Sequence, residues 1–184
     1  VQWLRDNLSI IDKSEDIESL AMLEKDNGDV YFVPAFSGLF SPHWDETARG
    51  SLFGLTRFSN KSHVARAVLE SVAFQTYELL ESMEKDLDTE FDTVKVDGGM
   101  VANNLLMQFQ SDLLDKSIQS QEINEITALG VGVASYLYVM DLPLSSMRNY
   151  ITSSKTWNPN MSNETRINSL ESWYKAIEKA KNWL

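Results

Sequence analysis

The chain contains no cysteine, so neither a disulfide nor a cysteine metal site can form. It has two histidines, His43 and His63, too few for a histidine metal centre. Both read as structural or surface residues, and no metal ligand is assigned. No apolar run approaches the length that crosses a bilayer, and no signal-peptide pattern opens the chain. Basic residues are scarce: 16 Lys and Arg stand against 27 Asp and Glu, a net charge of −11. A surface of that sign repels nucleic acid and anionic lipid, whose binding depends on Lys and Arg. The expectation is a cytoplasmic chain with neither nucleic acid nor membrane as partner. There is no internal repeat and no low-complexity segment. What is present is 184 residues, 43% of them hydrophobic, enough for one domain with a core.

The stretch from Val96 to Asn104 organises the rest. Before it, Phe91, Val94 and Val96 alternate with Asp92, Thr93 and Lys95, a strand period. After it, Leu105, Leu106, Phe109, Leu113 and Leu114 recur at helical spacing, with the helix ending near Asp115. Gly98 and Gly99 lie at the turn, where a residue without Cβ lets another group approach the backbone. Asn103 or Asn104 is placed to cap the helix, whose first amides lack partners inside it. Such a helix start attracts anions, and a nucleotide phosphate is the obvious guest. The acidic surface does not exclude it, because helix N-termini and a bound Mg²⁺ can carry phosphates. An ordinary strand-to-helix turn is the other reading of this spacing.

The remaining elements follow in order. Val1 to Leu8 reads as helix from its first residue, with Trp3, Leu4 and Leu8 as a stripe. No initiator Met and no cap precedes it, so a fragment of a longer protein is expected, cut inside an element. Ile17, Leu20 and Leu23 give one face of a short helix. Asn27-Gly28 signals a turn, and Val30 to Val33 a strand ended by Pro34. Residues 35–57 read as a long connection, too apolar at Phe36, Leu39, Phe40, Trp44, Leu52 and Phe53 to be solvated. Its charged candidates, Asp45, Arg49 and Arg57, read as an internal ion pair rather than catalytic groups. Ser62 is expected to cap a helix to about Met83, with Val64, Val68, Val72, Gln75 and Leu79 near one face and Arg66, Glu70 and Glu78 off it. Ser117 to Ser120 reads as a short strand. Glu122 and Glu125 precede a helix over Thr127–Leu137 whose small residues, Gly130 and Gly132 among them, suit close backbone packing. A phosphate loop is the alternative there, but no Lys follows. Residues 143–159 read as irregular. Asn163 can cap a last helix with Ile167, Leu170, Tyr174 and Ile177 on one face. The mixture of strands and helices implies an α/β sheet layered with helices.

Three blocks add a resemblance. Asp97 to Asn104 with Leu106 to Asp112 closely resembles the adenosine-binding segment of glycerol kinases. These belong to the carbohydrate kinases whose two domains share the actin and hexokinase fold. Val33 to Leu39 with Pro42 to Asp45, and Gly54 to Arg57 with His63 to Glu70, resemble the same family. The likeness runs from Val1 to about Leu142 and is loose beyond Pro143.

The resemblance implies that residues 1–184 are most of a C-terminal nucleotide-binding domain. Its fold would be an actin-like, ribonuclease H-like ATPase: a mixed sheet flanked by helices that lacks its first strands. It implies ATP or ADP and Mg²⁺ as cofactors, and glycerol as substrate through segments outside this chain. A homo-oligomeric parent, dimer or tetramer, is implied as well. Gly98, Gly99 and Asn103 would meet the nucleotide, and Gln2 matches a family position that contacts it. The catalytic base and polyol-binding residues would lie upstream, so no catalytic residue is assigned. A related pentulose or ketose kinase is one alternative, and a non-catalytic interaction domain of the same fold is another. A missing strand and missing neighbours of Trp3, Leu4 or Leu8 would leave the isolated chain prone to self-association.

Overall fold

The computed structural model describes residues 1–121, 126–150 and 153–184. Two short helices open the chain, α1 (Gln2–Asp6) and α2 (Asp16–Ala21). Strand β1 (Tyr31–Val33) follows the Asn27-Gly28 turn and pairs antiparallel with β2 (Ser51–Phe53), Phe32 facing Leu52. The long helix α3 (Lys61–Leu87) leads to β3 (Thr93–Val96), a 3-10 turn (Gly99–Ala102) and α4 (Asn104–Leu114). Strand β4 (Ser117–Gln121) runs parallel to β3, with Val94 facing Ile118. Helix α5 (Ile126–Val139) and a 3-10 segment (Leu144–Tyr150) come next. Strand β5 (Ser153–Trp157) then pairs antiparallel with β4, and α6 (Asn163–Ala180) closes the fold. The expected mixed sheet is therefore present in the order β3-β4-β5. Glu122 and Glu125 lie outside the described residues.

The core is built on Phe74 of α3, which is almost fully buried. Trp173 of α6 stacks on it with ring centroids 4.9 Å apart and planes 5° apart. Phe109 of α4 meets its edge at 5.6 Å, and Tyr31 of β1 lies at 6.0 Å. One ring thus joins four elements, each covering apolar area that water would otherwise face. A second group, Trp3 stacked on Phe32 at 5.7 Å with Phe36 beside both, fastens α1 to β1. Of the three residues expected to lack neighbours, Leu4 is completely buried, Trp3 is half-buried and Leu8 is exposed.

Several local expectations are corrected. Helix α2 stops at Ala21, so Leu23 falls beyond it and is exposed, while Ile17 and Ala21 carry the buried face. Asn60, not Ser62, caps α3: its side chain accepts from the Ser62 and His63 amides, and His63 Nδ1 accepts from the Asn60 amide. The helix continues to Leu87, with Asp88 in the left-handed region as its C-cap. Gln75 and Leu79 are exposed, whereas Glu70 and Glu78 are buried. Strands β2 and β5 arise inside stretches read as irregular. Ser162 caps α6, and the buried face is Leu170, Trp173, Ala176, Ile177 and Ala180, leaving Ile167 and Tyr174 partly outside. Asp45 makes no ion pair among the described residues. It accepts from the Thr47 hydroxyl and amide and from the Ala48 and Asn182 amides, bonds that hold its carboxyl at about 2. Arg49 donates to the Glu46 and Ala48 carbonyls, and Arg57 lies over the Phe58 ring. A Cβ added at Gly130 or Gly132 meets nothing within 4 Å, so the close packing expected for α5 is not made by the described residues.

The two buried carboxylates of α3 have named partners. His43 Nε2 lies 2.7 Å from Glu78 Oε1, which makes His43 the structural residue expected, and burial pushes the Glu78 carboxyl up. The Trp173 indole N–H is near Glu78 but outside hydrogen-bond geometry. Glu70 accepts from Arg66 Nε and Asn27 Nδ2, each at 2.9 Å. Burial pushes its carboxyl up to about 7 despite those two donors. A carboxyl that holds its proton more tightly when folded contributes stability that is complete below its ordinary value of 4.5. That contribution is lost as pH rises through about 7. Glu70→Gln keeps the shape and an acceptor but cannot titrate. Stability of the wild type, relative to Glu70→Gln, is expected to fall by about 3 kcal/mol between about pH 5 and about pH 8. Chemical denaturation of both proteins across that range measures it, and a constant difference would refute the assignment.

Candidate functional site

Helices α1, α2 and α3, the loop after β1 and the turn after β3 wall a cavity of about 920 Å³, α3 through Val72 and the loop through Phe36. Gln2 and Trp3 come from α1, Glu15 and Glu18 from the start of α2, and Gly99 and Asn103 from the turn after β3. Three of the four residues singled out in the sequence, Gln2, Gly99 and Asn103, therefore share one space. Gly98 precedes them at φ +89° and does not itself line it. The positive φ explains why a glycine stands there: an L side chain is strained in that region. Gly99 has no such requirement. A Cβ built on either glycine meets no protein atom within 4 Å, so the room in front of the turn is open.

Asn103 is the cap of α4. Its Oδ1 accepts from the Leu106 amide at 2.8 Å and its carbonyl from the Met107 amide at 3.1 Å. With Oδ1 committed, Nδ2 is the group left to donate outward. The Leu105 amide donates to Glu18 Oε1 at 2.9 Å. The Leu105 and Leu106 amides of α4 are thus taken, the first of them by the chain's own Glu18 carboxylate. The amides of Gly99 and Met100, by contrast, have no partner among the described residues. On the α4 side, Lys155 donates to Asn104 Oδ1. Among the described residues no three His, Asp or Glu side chains converge to hold a metal. Among them, too, no helix is long and apolar enough to cross a membrane.

The model of the C-terminal domain of the FGGY family of carbohydrate kinases matches residues 1–136. The chain belongs to this family. Among curated FGGY relatives, a glycerol kinase of Brucella anthropi is 50% identical over 186 residues, spanning all of this chain and 37% of its own length. A glycerol kinase of Nocardia farcinica is 50% identical over 189 residues, with 38% of its length covered. The chain thus spans little more than a third of the curated relatives it matches. A Plasmodium falciparum glycerol kinase solved with ADP superposes with a TM-score of 0.89 at 33% identity, covering 97% of this chain and 36% of that one. A Lactobacillus acidophilus xylulose kinase superposes at 0.77 with 21% identity, a likeness of fold alone. The FGGY, actin-like ATPase fold is shared by glycerol, xylulose and gluconate kinases.

The cavity also contains residues that sequence reasoning missed. Glu18 was one polar position on a short helix, and nothing in its neighbourhood marks it. Phe36 reads as an apolar residue of a family-like block with no role of its own; it reaches the cavity while more than half exposed.

Proposed function

We propose that this chain is the C-terminal nucleotide-binding domain of an ATP-dependent glycerol kinase, spanning residues 1–184. The observation that carries the reading is the convergence of Gln2, Gly99 and Asn103 on one cavity from opposite parts of the chain. Its size suits a nucleoside di- or triphosphate. In this reading Asn103 Nδ2 donates to the adenosine, the Gly98-Gly99 turn admits the nucleotide against bare backbone, and Gln2 lines the far side. The Gly99 and Met100 amides stand ready for an acceptor on the ligand. Mg²⁺ would arrive with the phosphates and neutralise their charge. Glycerol, and the base that takes its proton, would be held by the rest of the full-length protein, which is cytoplasmic and homo-oligomeric.

Glycerol is preferred to a pentulose because the superposed glycerol kinase is 33% identical and the superposed xylulose kinase 21%. A non-catalytic domain is disfavoured by the presence together of Gly98, Gly99 and Asn103, the residues that the nucleotide reading uses. Phosphoryl transfer from ATP by the full-length protein, measured on glycerol, xylulose and gluconate, tests the reading. Turnover of glycerol is expected, and turnover of xylulose or gluconate instead would overturn it. The 184-residue chain by itself is expected to form no glycerol 3-phosphate. Sustained ATP- and glycerol-dependent product from the pure chain would overturn that expectation.

A further inference from the structure

We infer that Glu18 is a positioning residue for the nucleotide, acting through Asn103. The inference rests on the nucleotide reading of the cavity. Glu18 lies on α2 and its Oε1 accepts from the Leu105 amide across 87 residues of sequence. Leu105 is two residues beyond Asn103, whose side chain accepts from Leu106. The two acceptors thus share the first turn of α4: Asn103 takes one amide and Glu18 the preceding one. If Glu18 did not hold Leu105, that amide would compete for Asn103 Oδ1, and the Asn103 side chain would no longer have one rotamer. An asparagine with Oδ1 pinned presents Nδ2 in one direction; an unpinned one can turn its amide over. Glu18 also joins two walls of the cavity directly, because α2 otherwise packs on α3 rather than on α4. Its role is to fix the direction of the donor rather than to touch the reacting atoms.

The test uses the full-length kinase and ATP titration by calorimetry, with kinetics on ATP and glycerol. Glu18→Gln keeps an oxygen at the same reach and is expected to bind ATP within about twofold of wild type. Glu18→Asp withdraws the oxygen by one methylene, and Glu18→Ala removes it; each is expected to weaken ATP binding about tenfold. The loss should appear in KM for ATP, with kcat at saturating ATP and KM for glycerol unchanged. In an Asn103→Ala background, Glu18→Ala should add less than about a twofold loss, since its route is already cut. Should Glu18→Ala fail to fold, the Asp and Gln variants carry the test. Wild-type ATP affinity in Glu18→Asp, a Gln variant as weak as Ala, or full additivity with Asn103→Ala would overturn the inference. Wild-type ATP affinity in Asn103→Ala alone would overturn this inference, and wild-type affinity in both Asn103→Ala and Gly99→Val would overturn the nucleotide reading with it.

Discussion

Gly99→Val in the full-length protein is expected to weaken ATP binding by at least about a hundredfold while leaving the melting temperature within about 2 °C of wild type. The two halves of that expectation have one cause. A Cβ at Gly99 meets no protein atom within 4 Å, so the folded chain does not register the added side chain. Gly99 is outside the left-handed region, so valine is not strained by the backbone either. The only thing a valine can displace is an occupant of the cavity that Gly99 lines. The neighbouring glycine behaves differently: at Gly98, φ is +89°, and any side chain there strains the fold whatever is bound. Asn103→Ala provides the contrast. It removes a donor to the ligand and the cap of α4 together, so ATP affinity should fall about tenfold and stability by about 1 kcal/mol. Calorimetric titration with thermal melts separates the three variants. Wild-type ATP affinity in both Gly99→Val and Asn103→Ala would mean that the nucleotide is held elsewhere.

Trp173→Ala is expected to destabilise the chain by about 3–5 kcal/mol, a large share of the 5–15 kcal/mol typical of a domain. Trp173 is completely buried and stacks on Phe74, the ring that also holds Phe109 and Tyr31. Removing it opens a cavity at the point where α6 joins α3, and neighbours packed on Phe74 cannot collapse into it without losing their own contacts. Trp173→Phe separates stacking from size. It keeps a ring on Phe74 and removes an indole N–H that has no hydrogen-bond partner among the described residues. Its cost should stay below about 2 kcal/mol, since the lost volume is offset by a buried donor no longer unsatisfied. Denaturant unfolding of the two variants decides the matter. Equal losses for Ala and Phe would show that the stack contributes little.

Local chemistry was legible in the sequence. Asn103 caps its helix, Gly98 takes a positive φ, Asn27-Gly28 turns and Val30 to Val33 contains β1, because each follows from a residue and its immediate neighbours. The resemblance was enough to indicate the family and to single out Gln2, Gly98, Gly99 and Asn103. Tertiary structure decided what depends on a partner distant in the chain. Periodicity on α3 placed Glu70 and Glu78 outside, but Arg66 and Asn27 satisfy the first and His43 the second, so both are buried. Strands β2 and β5 carry no alternating pattern strong enough to declare them; hydrogen bonds to β1 and β4 make them strands. The cavity itself belongs to the same class. Its walls come from α1, α2, α3, the loop after β1 and the turn after β3, and the Glu18–Leu105 bond spans 87 residues. Sequence spacing encodes which side chains share a face of one element, whereas the packing of one element on another determines which of those faces meet.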